Sequence, residues 1–159
     1  KGYDKERNTF TQSYGSRELD ASLLLIPQMG FLPPDDKRVI GTIEAIQREL
    51  STEDGFILRY PTSGSAEGVD GLKGDEGAFL ACSFWLSDAL AVIGRTDEAH
   101  ALFEKLLGLR NDLGLLSEEW DSRRQRQVGN APQAFSHVAM VETALTLTAL
   151  DAHGGELPR

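Results

Sequence analysis

The sequence predicts an all-α fold, part of an α/α toroid in which buried inner helices alternate with amphipathic outer ones. Three observations carry this. Five stretches have helical periodicity and convincing strands are absent. Helices apolar on every side alternate with helices that keep one polar face, and short connections alternate with long ones. An antiparallel bundle or a helical-repeat array would share the first of these. No internal repeat of about 34 or 40 residues is visible, which counts against the array.

The first predicted helix covers residues 17–28, with Leu19, Leu23, Leu24 and Ile26 apolar and Pro27 near its end. The second covers 35–50. Pro33-Pro34-Asp35 opens it, and Val39, Ile43, Ile46 and Leu50 form one stripe at helical period. The third covers 75–93 and stops at Gly94, a suitable C-cap. The fourth, 96–109, starts at Thr96, a good N-cap residue, and puts Ala99, Leu102, Phe103, Leu106 and Leu107 on one face. The fifth covers 132–152, before Gly154-Gly155. Short pieces such as Phe56-Ile57-Leu58 can pair locally.

Helices two and four are amphipathic. Helices three and five are apolar nearly all round, from Phe79 to Ile93 in one and from Phe135 to Leu150 in the other. A helix of that kind is expected to be covered on every side. Connections from buried to surface helices are short (29–34 and 94–95), whereas the returns are long (51–74 and 110–131). With consecutive helices antiparallel, both long loops fall at the end where the buried helices begin. Long irregular loops on a compact scaffold usually carry function, and helix N-termini there add free N–H groups.

Length fits one domain: 159 residues, 40% apolar and 26% charged, a globular composition. The net charge of −9 argues against nucleic acid and anionic membrane as partners; a neutral sugar is compatible with it. The one cysteine, Cys82, lies in an apolar run and reads as a buried structural thiol. The start, Lys1-Gly2-Tyr3-Asp4, is polar and shows no signal peptide, and no apolar run is long enough to span a bilayer. A cytoplasmic location is expected, weakened by a start without Met that points to upstream sequence outside this numbering.

The second long loop contains Leu115-Leu116-Ser117-Glu118-Glu119-Trp120-Asp121. A carboxylate can act as base towards water and an indole can stack on a pyranose, although acidic loops are also ordinary solvated surface. The first long loop contains Arg59-Tyr60, with Arg59 after the apolar pair Ile57-Leu58; a plain surface arginine is the alternative. Residues 68–77 hold four glycines but match no phosphate-loop spacing. Asp75 and Glu76 read first as helix-start partners, and Glu76 could also face a pocket. His100, His137 and His153 lack metal-ligand spacing, so neither a metal nor a cofactor is expected. His137 reads as a satisfied core histidine, and Ser136-His137 cannot pair catalytically as neighbours on one helix.

Several segments, in order, resemble glycoside hydrolase family 15, which contains glucoamylases, glucodextranases and bacterial or archaeal α,α-trehalases. They are 10–15 (Phe-Thr-Gln-Ser-Tyr-Gly), 19–24 (Leu-Asp-Ala-Ser-Leu-Leu), Asp54-Gly55-Phe56 leading to Arg59-Tyr60, 74–79, 111–121 and 129–137. The form is nearer the bacterial trehalase branch than the fungal starch enzymes. The resemblance implies a C-terminal fragment of an (α/α)6 catalytic domain with an inverting mechanism. It makes Glu118 the general base and Arg59, with Tyr60, a sugar-binding residue. Glu76, Phe79, Glu119 and Trp120 become candidate pocket wall. The family's general acid lies in a Trp-Glu segment, and neither Trp85 nor Trp120 fits it, so the chain alone is expected to be inactive or nearly so. An α-glucoside, trehalose or a malto-oligosaccharide, is the implied substrate. A homodimer, or association with a missing N-terminal part, would cover the open helix faces. The rival reading is a non-catalytic binding or assembly module.

Overall fold

The computed structural model describes residues 1–61 and 77–154. Four α-helices carry the fold: α1 (Lys37–Leu50), α2 (Leu80–Val92), α3 (Thr96–Leu107) and α4 (Ala134–Ala152). α2 is the centre. Every residue from Leu80 to Ala91 is buried, and α3, α4 and the 3₁₀ turn Ala21–Leu25 pack around it. Its small polar residues are satisfied by neighbouring backbone. Ser87 Oγ donates to Ala99 O (2.8 Å), Ser83 Oγ accepts from Ile57 N (2.9 Å), and Thr143 of α4 donates to Phe84 O (3.1 Å). Buried polar groups paired in this way keep the core from paying a desolvation penalty.

Boundaries differ from the sequence expectation where capping chemistry decides them. Residues 17–28 form only a 3₁₀ turn, capped by Asp20 accepting from Ser22 N, because the backbone around it is held elsewhere: Gln12 N bonds Glu18 O, and Ala21 N bonds Arg59 O. α1 is capped by Asp36, not Asp35. Gly94 does end α2, at φ +85°, with Arg95 N reaching back to Leu90 O. That tight closure makes Arg95 the cap residue of α3, and Thr96 is its first helical residue. α4 is capped by Gln133, so Pro132 lies outside it. Helix three begins at Leu80; Asp75 and Glu76, with the rest of 62–76, lie outside the described residues.

The expectation that strands are absent is corrected. β1 (Tyr3–Asp4) and β2 (Thr9–Phe10) form an antiparallel hairpin lying on α1, where Phe10 N donates to Thr42 Oγ1. β3 (Ala78–Phe79), β4 (Glu119–Asp121) and β5 (Arg126–Val128) form a second antiparallel sheet in the order β3-β4-β5. Ile57 makes an isolated bridge with Ser51, the local pairing expected of that piece. These strands are two or three residues long, below any periodicity a sequence can display.

The second sheet joins the two long connections. β3 leads into α2, and β4 belongs to the segment that leads into α4. Leu80 N bonds Glu118 O (3.0 Å), and Gln133 N bonds Leu116 O (3.0 Å). The N-terminal ends of α2 and α4 therefore flank the same segment, 116–118, as the alternation of loop lengths implies.

α4 departs from expectation. It buries Ser136, Ala139, Thr143, Leu147 and Leu150, but Phe135, Val138, Val141 and Leu145 are 48–66% exposed. Uniform apolarity was expected to mean cover on all sides, and within this chain one side is bare. No helix among the described residues is long and apolar enough to cross a membrane.

Candidate active site

Glu118 sits just before β4, half-buried, with its carboxylate turned to the start of α4. Oε2 accepts from Asn130 N (3.1 Å) and Asn130 Nδ2 (2.9 Å), and Oε1 accepts from Gln133 Nε2 at 3.3 Å. All three donors are uncharged amides. Gly129 permits this approach: its φ is +76°, and a Cβ there would lie 3.0 Å from Glu118 Oε2.

The segment that carries Glu118 is gripped by the first turn of α4. Ser136 Oγ donates to Ser117 O (2.8 Å). His137 Nε2 accepts from Leu116 N (3.3 Å) while Nδ1 lies 2.7 Å from Gln133 O. Those two bonds fix a neutral tautomer with the proton on Nδ1. His137 is thus a satisfied, half-buried histidine, as its sequence position implied.

Arg59 forms a second group. Its Nε lies 3.0 Å and its Nη2 3.4 Å from the Asp20 carboxylate. The guanidinium stands 5.3 Å from the Tyr60 ring centre and 5.8 Å from that of Trp85. Asp20 is buried and also caps the 3₁₀ turn through Ser22 N (2.7 Å). Trp85 in turn meets Phe135 edge-on at 5.4 Å. A continuous path of contacts therefore runs from Arg59 through Trp85 and Phe135 to the start of α4, two residues from Gln133 and the Glu118 carboxylate.

The neighbouring carboxylate faces elsewhere, as alternation along β4 requires. Glu119 Oε2 accepts from Gly77 N (2.9 Å). Burial pushes its carboxyl above the usual range and the Glu118 charge adds to that, against the lowering Gly77 bond. Glu119 and Trp120 line a cavity of about 510 Å³ with Leu58, Gly77, Arg124 and Arg126; neither Glu118 nor Arg59 is among its lining residues. The hydrogen-bond pattern and the cavity thus single out different carboxylates. Trp120 is 9% exposed, donates from Nε1 to Asp54 Oδ2 (3.2 Å) and meets Phe56 edge-on at 6.4 Å. Phe79, half-buried, is the cap residue of α2 and pairs with Glu119 across the β3–β4 ladder. Glu76 lies outside the described residues.

The structure adds residues not singled out from sequence: Asn130 and Gln133 on Glu118, Asp20 and Trp85 on Arg59. Asp20, Asn130 and Gln133 lie in the family-like segments 19–24 and 129–137, but uncharged amides and a helix-cap aspartate carry no chemical signature of their own. Trp85 read simply as core. Cys82 is buried, and burial pushes its thiol up to about 12, which leaves it unreactive as expected. Among the described residues, no group of three His, Cys, Asp or Glu side chains could hold a metal ion.

The sequence matches glycosyl hydrolases family 15 over residues 1–145. It is 50% identical over 139 residues to the trehalase of Mycobacterium tuberculosis, covering 87% of this chain and 20% of that protein. It is 42% identical over 144 residues to the trehalase of Thermoplasma acidophilum, covering 91% and 24% respectively. A solved glycosidase variant in complex with glucose superposes with TM-score 0.75 at 22% identity, over 99% of this chain and 41% of that one. The chain spans about a fifth to a quarter of the length of the curated relatives it matches. On the extent of that match, the chain belongs to glycosyl hydrolases family 15.

Proposed function

We propose that the chain is the C-terminal part of an inverting α-glucosidic hydrolase acting on trehalose, with Glu118 as general base. The observation that carries this is the Glu118 cradle: a half-buried carboxylate held by three neutral donors at the N-terminal mouths of α2 and α4. Such a group keeps its acceptor character and is aimed without being neutralised by a cation. In the reaction, Glu118 takes a proton from water as the water oxygen bonds the anomeric carbon. The glycosidic C–O bond breaks, and its oxygen takes a proton from a general acid outside this chain. Acid and base would stand roughly 6.5–9.5 Å apart to admit the water. Arg59, oriented by Asp20, and Tyr60 hold sugar hydroxyls. Glu76, Phe79, Glu119 and Trp120 are read as wall. Trehalose is preferred among α-glucosides on the 50% identity to a trehalase.

The helices are read as part of an (α/α)6 toroid whose other helices cover the bare face of α4. A cytoplasmic location goes with the single buried thiol. In the full-length protein, Glu118→Gln is expected to lower turnover of trehalose by about 10²–10⁴-fold; turnover near the native rate would end the base assignment. The 159-residue chain alone is expected to show no measurable turnover of trehalose or maltose. A second reading, a helical assembly module, draws on the exposed residues of α4. It predicts self-association of the chain by sedimentation, and a clean monomer at high concentration counts against it.

A further inference from the structure

We infer that Asn130 and Gln133 are positioning residues: Asn130 fills Glu118 Oε2, Gln133 takes one position on Oε1, and the position left on Oε1 is the one that takes the proton from water. The inference rests on the reading of Glu118 as the base.

The two carboxylate oxygens are not equivalent. Oε2 accepts two hydrogen bonds, from Asn130 N (3.1 Å) and Asn130 Nδ2 (2.9 Å). Oε1 accepts one, longer bond, from Gln133 Nε2 at 3.3 Å. Each carboxylate oxygen offers about two acceptor positions, so Oε2 is occupied and Oε1 keeps one position open. A water placed there would bond Oε1 and lie beside the Gln133 amide.

The donors are themselves fixed. Gly129 lets the backbone wrap against Glu118, since a Cβ would come within 3.0 Å of both its Cβ and its Oε2. Gln133 Oε1 accepts from Phe135 N (3.4 Å) as the cap of α4, which turns its Nε2 towards Glu118. The Gln133 backbone is held at both ends, by Leu116 O (3.0 Å) and His137 Nδ1 (2.7 Å). Glu118 N bonds Asn130 O (2.9 Å), so base and clamp share one ladder. A clamp built on a helix start and a backbone ladder fixes orientation better than a loop alone.

The test measures trehalose turnover by the full-length protein carrying Glu118→Gln, Asn130→Ala, Asn130→Asp, Gln133→Ala or Gln133→Glu, each checked for native melting. Asn130→Ala and Gln133→Ala are expected to lower kcat roughly 10- to 100-fold with KM within about threefold, since they act on the base and not on the sugar. Asn130→Asp keeps the side-chain size and the backbone donor but replaces the Nδ2 donor by an acceptor. It serves if the alanine variant does not fold, and kcat is expected to fall with it too. Gln133→Glu puts a second carboxylate against Glu118. It is expected to lower kcat further than Gln133→Ala and to move the acid limb of the kcat–pH profile upward, a shift that a merely structural role would not produce. If Glu118→Gln abolishes turnover while folded Asn130 and Gln133 variants keep kcat within twofold, the positioning inference is overturned and the base reading stands. If Glu118→Gln turns over normally, the base reading itself falls.

Discussion

α2 and α4 are both largely apolar and meet opposite fates. α2 is buried from Leu80 to Ala91. α4 buries its small residues Ser136, Ala139 and Thr143 and leaves Phe135, Val138, Val141 and Leu145 in solvent. The small face lets the two backbones approach closely, as the Thr143–Phe84 O bond attests. Apolarity on every side therefore does not by itself mean cover within one chain; the matched relatives are about four times as long as this one.

The comparison is sharpest at single side chains. Phe84 in α2 is fully buried and meets Phe103 edge-on at 6.0 Å. Phe84→Ala should cost the isolated chain about 3–5 kcal/mol in denaturant unfolding. Leu145→Ala should cost less than about 0.5 kcal/mol, because Leu145 is 66% exposed. Similar losses at the two positions would mean that the α4 face is covered by another copy in solution.

A charge tests the same face more severely. Val141→Asp should leave the isolated chain within about 0.5 kcal/mol of native stability. In the full-length protein it should cost about 2–4 kcal/mol, since an unpaired carboxylate would then be buried. Equal effects in the two contexts would show that α4 stays bare and would remove the case for further helices over it.

What the sequence revealed follows the same division. Four of the five helices were legible from 3.6-residue periodicity, and Gly94 marked a true stop. The stretch 17–28 does not form the predicted helix, because its apolar residues serve a 3₁₀ turn and the backbone around it bonds elsewhere, Gln12 N to Glu18 O and Ala21 N to Arg59 O. Strands of two or three residues leave no pattern to read. Within the candidate site, Glu118 and Arg59 were marked by the family resemblance and not by charge or spacing alone. Asn130, Gln133 and Asp20 were not legible, since their roles depend on which atoms face which, through Gly129 and the cap of α4.

A smaller effect is expected at the α2–α4 seam. Asp88 of α2 is buried, and its Oδ1 has no partner among the described residues. Burial holds its carboxyl above the usual range, the Glu142 charge adds to this, and a hydrogen bond with Thr146 opposes it. A folded-state value above the unfolded one means that ionised Asp88 works against the fold. Its favourable contribution is complete below the ordinary carboxylate range near 4 and is lost as pH rises through the raised value. Asp88→Asn should therefore raise the Tm of the isolated chain at pH 7 by about 2–5 °C, with the gain fading towards pH 4. In the full-length protein, a donor from the covering segment would satisfy Oδ1, and the same substitution should lower Tm. A gain of equal size in both contexts would show that nothing reaches Asp88.

The smallest effect belongs to the other end of α4, where His100 Nε2 of α3 lies 3.1 Å from Asp151 Oδ1. Both side chains are substantially exposed, so solvent screens the pair, and His100→Ala should change stability by no more than about 0.5 kcal/mol. The reason lies in the packing: Leu147 and Leu150, 3% and 2% exposed, already anchor this end to the core. Leu150→Ala should cost several times more, about 2–4 kcal/mol in the same unfolding experiment. If His100→Ala were instead the costlier change, α4 would be held by its surface contacts and not by its buried stripe, and the contrast with α2 would lose its basis.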